Sequence, residues 1–191
     1  MPDFRFDPEK HEYWLGEDRL MGVSEVLESA GIKPKNEFRN GAISQALTIG
    51  SYVHTACQML DEGELDLLSL DPVIEPYVRA WMAFQAEIPF EWEHIEVPMY
   101  NTDFGVFGIA GTPDRCGRPM AYNLQRTIVD IKTGDYEKWH QIQTALYALL
   151  WPCTARMSVY LRADGTHEKK DRKSTRLNSS HIQKSRMPSS A

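Results

Sequence analysis

Between Gly111 and Tyr147 the chain collects side chains that could do chemistry together. GTPDRCG supplies Asp114, RTIVDIKTG supplies Asp130 and Lys132, and QTALY places Gln143 four residues before Tyr147. In an extended VDIKTG, alternation puts Asp130 and Lys132 on one face, about 7 Å apart. Ile131 then points into the core, while its carbonyl stays near the same edge as a further oxygen donor. Mg²⁺ takes about six oxygens at ~2.1 Å and keeps several waters. Two carboxylates and one carbonyl therefore leave room for water and a phosphate. Such an ion acidifies water and offsets the charge that builds on phosphorus. A lysine beside it orients the water or neutralises the phosphate as a point charge. This is the donor set of metal-dependent phosphodiester hydrolysis. A lone D-x-K also reads as a solvated pair on an edge strand. Asp114, which follows a glycine-bearing strand and a turn, is what can bring a second carboxylate to the same end of the sheet.

Three further positions belong to the same reading. In IGSYVHTA, His54 sits one helical turn after Gly50. An imidazole there can ligate a first-row ion such as Mn²⁺, or be an ordinary packed or surface histidine. Gly50 permits a close approach of backbone or DNA. Gln143 and Tyr147, at i and i+4, share a helical face. Gln143 can reach the lysine or a phosphate, and Tyr147 can stack on a base. The same pair also suits a half-buried amphipathic helix with Tyr147 in its core. Glu96, on the preceding strand with Glu91 and Glu93 close by, can aid the metal site or belong to a solvated strand face. His11, His94, His140 and His167 carry no partner pattern.

The elements that must position these residues follow from periodicity. Phe4 to Phe6 and His11 to Leu15 alternate around DPEK as a hairpin. Ser24 can N-cap a helix that ends near Gly31. Apolar residues from Phe38 to Leu60 recur at helical spacing, with Gly63 as the stop. A third helix is expected from Pro72. Trp92 to Tyr100, Gly105 to Ala110, Thr127 to Ile131 and Met157 to Leu161 read as strands, and Trp139 to Trp151 as a helix stopped by Pro152. The order predicts an α/β domain, a central mixed β-sheet flanked by helices.

The 191 residues include 21 Lys and Arg and 27 Asp and Glu. From Asp171 to Ala191 the composition turns to Ser and Arg with no aromatics or hydrophobic period. That segment reads as translated sequencing-library adapter, is expected to be disordered, and is set aside from the fold. Residues 1–170 are then one domain, expected to be C-terminally truncated. Setting aside five basic residues and one acidic residue of the segment leaves a net charge of −10. An acidic chain that meets phosphate needs local basic patches or metal ions. No secretory h-region or transmembrane run is evident. Three isolated cysteines, Cys57, Cys116 and Cys153, suit a reducing cytosol.

Taken together, the residues resemble the PD-(D/E)XK nuclease superfamily, in its RecB-like and phage-exonuclease branch. The family order is a helical G-x-x-x-H, a G-x-x-D, a D-x-K and a Q-x-x-x-Y. Here these are Gly50 with His54, Gly111 with Asp114, Asp130 with Lys132, and Gln143 with Tyr147. FRFDPEKHEYWLGEDRLMGVSEVL is similar to the opening of phage members. The resemblance implies a restriction-endonuclease-like core over residues 4–165. It implies that His54, Asp114, Asp130 and the Ile131 carbonyl bind Mg²⁺ or Mn²⁺, that Asp114, Asp130 and Lys132 are catalytic, and that Gln143 and Tyr147 hold substrate. It implies a DNA exonuclease of phage recombination or DNA repair, in a bacterial or phage-infected cytoplasm. Its partner would be a single-strand-annealing protein or a helicase, and a homo-oligomer is compatible. The cysteine spacing does not resemble the iron–sulfur pattern of some RecB relatives. The other readings are a nucleic-acid-binding relative whose site is unused and an α/β interaction domain whose motifs coincide by chance.

Overall fold

The computed structural model describes residues 3–34, 41–104, 108–120 and 125–173. The chain opens with strands β1 (Phe4–Asp7), β2 (Glu12–Leu15) and β3 (Asp18–Gly22). Helices α1 (Val23–Ser29) and α2 (Gly41–Glu62) follow, then a 3₁₀ turn (Leu67–Ser69) and α3 (Glu75–Glu87). Strands β4 (Phe90–Ile95), β5 (Met99–Asn101), β6 (Ile109–Gly111), β7 (Arg115–Pro119) and β8 (Thr127–Lys132) come next. Helix α4 (Lys138–Leu150), β9 (Ala155–Leu161) and β10 (His167–Lys173) complete the described elements.

The architecture is α/β with mixed sheets flanked by helices. The strands form two five-stranded sheets rather than one, ordered β1-β2-β3-β6-β5 and β10-β9-β8-β7-β4. Each contains one parallel pair, β3 with β6 and β8 with β9. Parallel neighbours need a crossover, and α4 supplies it between β8 and β9.

Strand β8 is the centre of the molecule, buried from Thr127 to Ile131. Its Val129 and Ile131 join Val53 and Cys57 of α2 and Val78, Trp81 and Phe84 of α3 in one core. Ile128 points the other way, into a core with Val23 and Leu27 of α1 and Tyr147 and Leu150 of α4. A strand covered on both faces should be apolar throughout. Asp130 breaks that rule at 1% exposure, which marks it for a purpose other than packing.

Several expectations shift against this frame. The strand expected from Trp92 to Tyr100 is two strands in different sheets. Pro98 cannot donate to a ladder, and Glu96 takes a left-handed φ of 50°. Gly22, not Ser24, is the N-cap of α1, and the Glu25 carboxylate accepts its N–H. Helix α3 starts at Glu75 rather than Pro72, after a turn in which the Asp71 carboxylate accepts the Val73 N–H. Strands β3, β7 and β10 were not anticipated. β10 runs to Lys173, pairing Asp171 with Met157 and Lys173 with Ala155. The disorder expected over 174–191, the start of the Gly105 strand and the Phe38 end of the second helix lie outside the described residues.

Candidate metal centre

Four elements converge at one end of the second sheet. His54 comes from α2, Asp114 from the turn before β7, Asp130 and Lys132 from β8, and Glu96 from the break between β4 and β5. His54 Nδ1 lies 3.6 Å from Asp114 Oδ1 and 3.7 Å from Glu96 Oε1. One donor atom each from His54, Glu96 and Asp114 lies within 4.8 Å of the others. An imidazole and two carboxylates at that spacing fit a first-row divalent ion or Mg²⁺.

Asp114 is fixed by its other oxygen, Oδ2, which accepts the Ile131 N–H at 2.6 Å. That bond ties the G-x-x-D turn to the D-x-K strand and sets Asp114 beside β8. Asp130 itself is turned to Lys132, with Oδ2 2.9 Å from Nζ. Among the described residues it stands outside the three-donor group. It remains within electrostatic reach of Asp114 and His54. The Lys132 ammonium also lies 5.9 Å from the Trp139 ring centroid, a cation–π contact that restrains its long stem.

The protonation of these groups reflects burial competing with neighbours. Desolvation pushes Asp130 up to about 6, against the pull of Lys132. Burial likewise raises Asp114; the Glu96 charge adds to the rise, while His54 and Lys132 oppose it. Burial disfavours a charged His54, yet Asp114 and Glu96 outweigh it and hold the imidazole above its ordinary value. Burial also works against Lys132, and Asp130 and Asp114 reverse the outcome, keeping it protonated. Crowded carboxylates that bind protons too readily are groups that a cation would relieve.

The site opens onto a cleft of about 1060 Å³ lined by His54, Glu96, Asp114, Ile131, Lys132 and Tyr147, among others. A more apolar groove of about 740 Å³ between α2 and the residues leading to α3 lies away from this chemistry. Gln143 and Tyr147 share a face of α4, as expected. Gln143 Nε2 donates to Tyr147 Oη at 3.2 Å, and both side chains are buried. Tyr147 reaches the cleft wall while its ring packs in the α1–α4 core; Gln143 stays behind it.

The two motif glycines serve contacts inside the protein. A Cβ on Gly111 would lie 2.9 Å from Tyr147 Cε1, so its absence lets α4 settle on β6. A Cβ on Gly50 would meet Thr133 Oγ1 at 3.2 Å, so α2 can approach the loop after β8 and carry His54 to Asp114.

Of the two readings of Glu96, the structure favours the metal site over the solvated face: its side chain is half-buried beside His54 and Asp114. The sequence signal for it was Pro98, which marks a break where a strand was read. Arg115, which no local sequence pattern marks, is fully buried, with Nε 2.6 Å from Asp61 Oδ2.

No family model matches the chain, and no curated protein matches it in sequence. Solved structures do resemble it in outline. The structure titled "Crystal structure of SSO0001" is 17% identical, over 88% of this chain and 73% of that one, with a TM-score of 0.44. The alkaline exonuclease LHK-Exo from Laribacter hongkongensis is 11% identical, over 82% of this chain and 78% of its own, also at 0.44. Its complex with dAMP gives 12% identity with the same coverage and score. Likeness this distant assigns no activity.

Proposed function

We propose that the chain is a metal-dependent nuclease that hydrolyses DNA phosphodiester bonds, with a restriction-endonuclease-like core. The observation that carries this reading is the meeting of His54, Glu96 and Asp114 around one point, beside the buried Asp130–Lys132 pair and at the wall of an open cleft. His54, Asp114 and Glu96 would hold Mg²⁺ or Mn²⁺, and Asp130 and the Ile131 carbonyl of β8 would be further donors. When bound, the ion lowers the pKa of its water and offsets charge on the reacting phosphate. Lys132 contributes a fixed positive charge that orients the attacking water and neutralises the phosphoryl oxygens. Tyr147 offers its edge to the substrate, and Gln143 holds its hydroxyl. An exonuclease of phage recombination or DNA repair, working in the cytoplasm beside a single-strand-annealing protein or helicase, is the finer form of this proposal.

One observation favours a different reading. Asp130 is paired with Lys132 and lies outside the donor cluster, which suits a nucleic-acid-binding relative of the nuclease fold whose site is unused. Purified protein with linear DNA separates the two. The nuclease reading expects degradation that requires Mg²⁺ or Mn²⁺ and is abolished in Asp130→Ala and Asp114→Ala variants that keep the parent's circular dichroism. DNA that is bound but left intact, or equal cleavage by parent and variants, removes it.

A further inference from the structure

Arg115 follows Asp114 directly in the chain and opens β7, yet its side chain is 0% exposed. A buried guanidinium is costly unless it is paired; Nη2 has no hydrogen-bond partner among the described residues, and the partners of Nε and Nη1 fall into two groups. Toward the helices, Nε donates to Asp61 Oδ2 at 2.6 Å. Asp61 is itself buried and also accepts from Trp81 Nε1 at 3.0 Å and Gln85 Nε2 at 2.8 Å. Those bonds make its carboxylate a fixed anchor. Toward the cleft, Nη1 donates to the Asp114 carbonyl at 2.6 Å and to Glu96 Oε1 at 3.3 Å. The same carbonyl accepts the Glu96 N–H at 3.0 Å.

The two groups meet in one geometry. Asp61 and His54 both lie on α2, seven residues apart, so they share a helical face two turns from each other. Fixing Asp61 against Arg115 fixes the rotation of α2 that turns His54 to the cleft. Glu96 holds a left-handed φ of 50°, a conformation that surrounding structure must enforce. Arg115 bonds both its side chain and the carbonyl that its N–H uses. Contact with α2 and α3 alone would be served by the Asp61 side of the guanidinium. The Nη1 bonds serve only the donor cluster.

We propose that Arg115 is a positioning residue for the metal centre, holding Glu96 and the Asp114 main chain in place against His54, with Asp61 as its anchor. This rests on the cluster being a metal site. A lysine cannot replace it, because a point charge cannot span both groups of partners.

The test is Mn²⁺ binding to the full chain by calorimetry, with folding followed by circular dichroism and thermal melting. Arg115→Lys should weaken binding by about 10–100-fold, the usual range for residues that orient ligands, and Glu96→Gln, which alters one of the donors themselves, should weaken it at least as much. The double variant should lose less than the two single losses together, because part of the effect of Arg115 runs through its bond to Glu96. Asp61→Asn keeps an acceptor for Trp81 and Gln85 but removes the charge facing Arg115. It should weaken binding in the same direction, and it decides the matter if Arg115→Lys does not fold. Parent protein that binds Mn²⁺, with Arg115→Lys and Asp61→Asn binding as tightly but melting lower, overturns the positioning role and leaves the metal site standing. Parent protein that binds no Mn²⁺ removes the metal site, and this role with it.

Discussion

Asp114 does two things with one carboxylate. Oδ2 accepts the Ile131 N–H and Oδ1 faces His54. Burial and the Glu96 charge make its ionised form unfavourable in the metal-free protein. Asp114→Asn should therefore abolish metal-dependent cleavage while making the metal-free fold more stable, by roughly 0.5–2 kcal/mol, as relieving a functional site commonly does. A melting temperature below the parent's would show that the charge serves stability instead. Lys132 has a different part. Its ammonium is held by Asp130 and rests on Trp139, and it offers no lone pair to a cation while protonated. Lys132→Ala should lose turnover and keep Mn²⁺ affinity. A large loss of affinity would give it a structural part in the centre.

The donor residues are placed by how α2, α4 and the strands press on one another. Gly111 shows this most sharply, since a methyl there would strike Tyr147, Leu150 and Val23 within 3.2 Å. Gly111→Ala should cost about 1–3 kcal/mol, the usual range for overpacking, read as a lower urea midpoint. Gly50→Ala meets a single rotatable hydroxyl at 3.2 Å, so its effect on stability should be smaller. The break between β4 and β5 is equally consequential. It ends one strand's pairing in the second sheet, begins another's in the first, and leaves Glu96 at the corner between them, turned to the cleft.

Taken over the full chain, an acidic protein gathers buried carboxylates at one cleft, charges that a bound cation would compensate. The sign of the pH dependence follows. Asp130 binds its proton more tightly folded than unfolded, with a folded value of about 6 against an ordinary 3.8. Its contribution is complete below about pH 4 and is lost as pH rises through about 6. Metal-free parent should lose stability over that interval relative to Asp130→Asn, a difference that thermal melts across pH 4–7 would measure. His54, also raised, extends the loss upward. Saturating Mn²⁺ should reverse it, by about 2.7 kcal/mol when the free ion is at 100 times its Kd. Acidification below pH 6 should weaken the ion's binding, because protons compete for the same donors. Stability that does not respond to Mn²⁺ at pH 7 would contradict the site.

Local pattern was enough to find the centre's raw materials. Alternation in VDIKTG put Asp130 and Lys132 on one face because side chains on a strand repeat every two residues. The i, i+4 spacing put Gln143 and Tyr147 together because a helix turns every 3.6. The α/β class followed from those same two periods. Other features depended on partners far along the chain. Arg115 and Asp61 are 54 residues apart, and no period announces that one neutralises the other in the core. β7, written RCGRP, looks polar until that pairing buries it. The division into two sheets turned on Glu96 and Pro98, where a left-handed residue and a missing N–H broke what alternation read as one strand. That same break makes Glu96 a neighbour of His54, where the local pattern left it between a surface face and the site. Sequence determined which side chains could bind a cation, since that is a property of type and short spacing. Tertiary structure decided which of them meet, because convergence depends on long-range packing and on the buried charges it can tolerate.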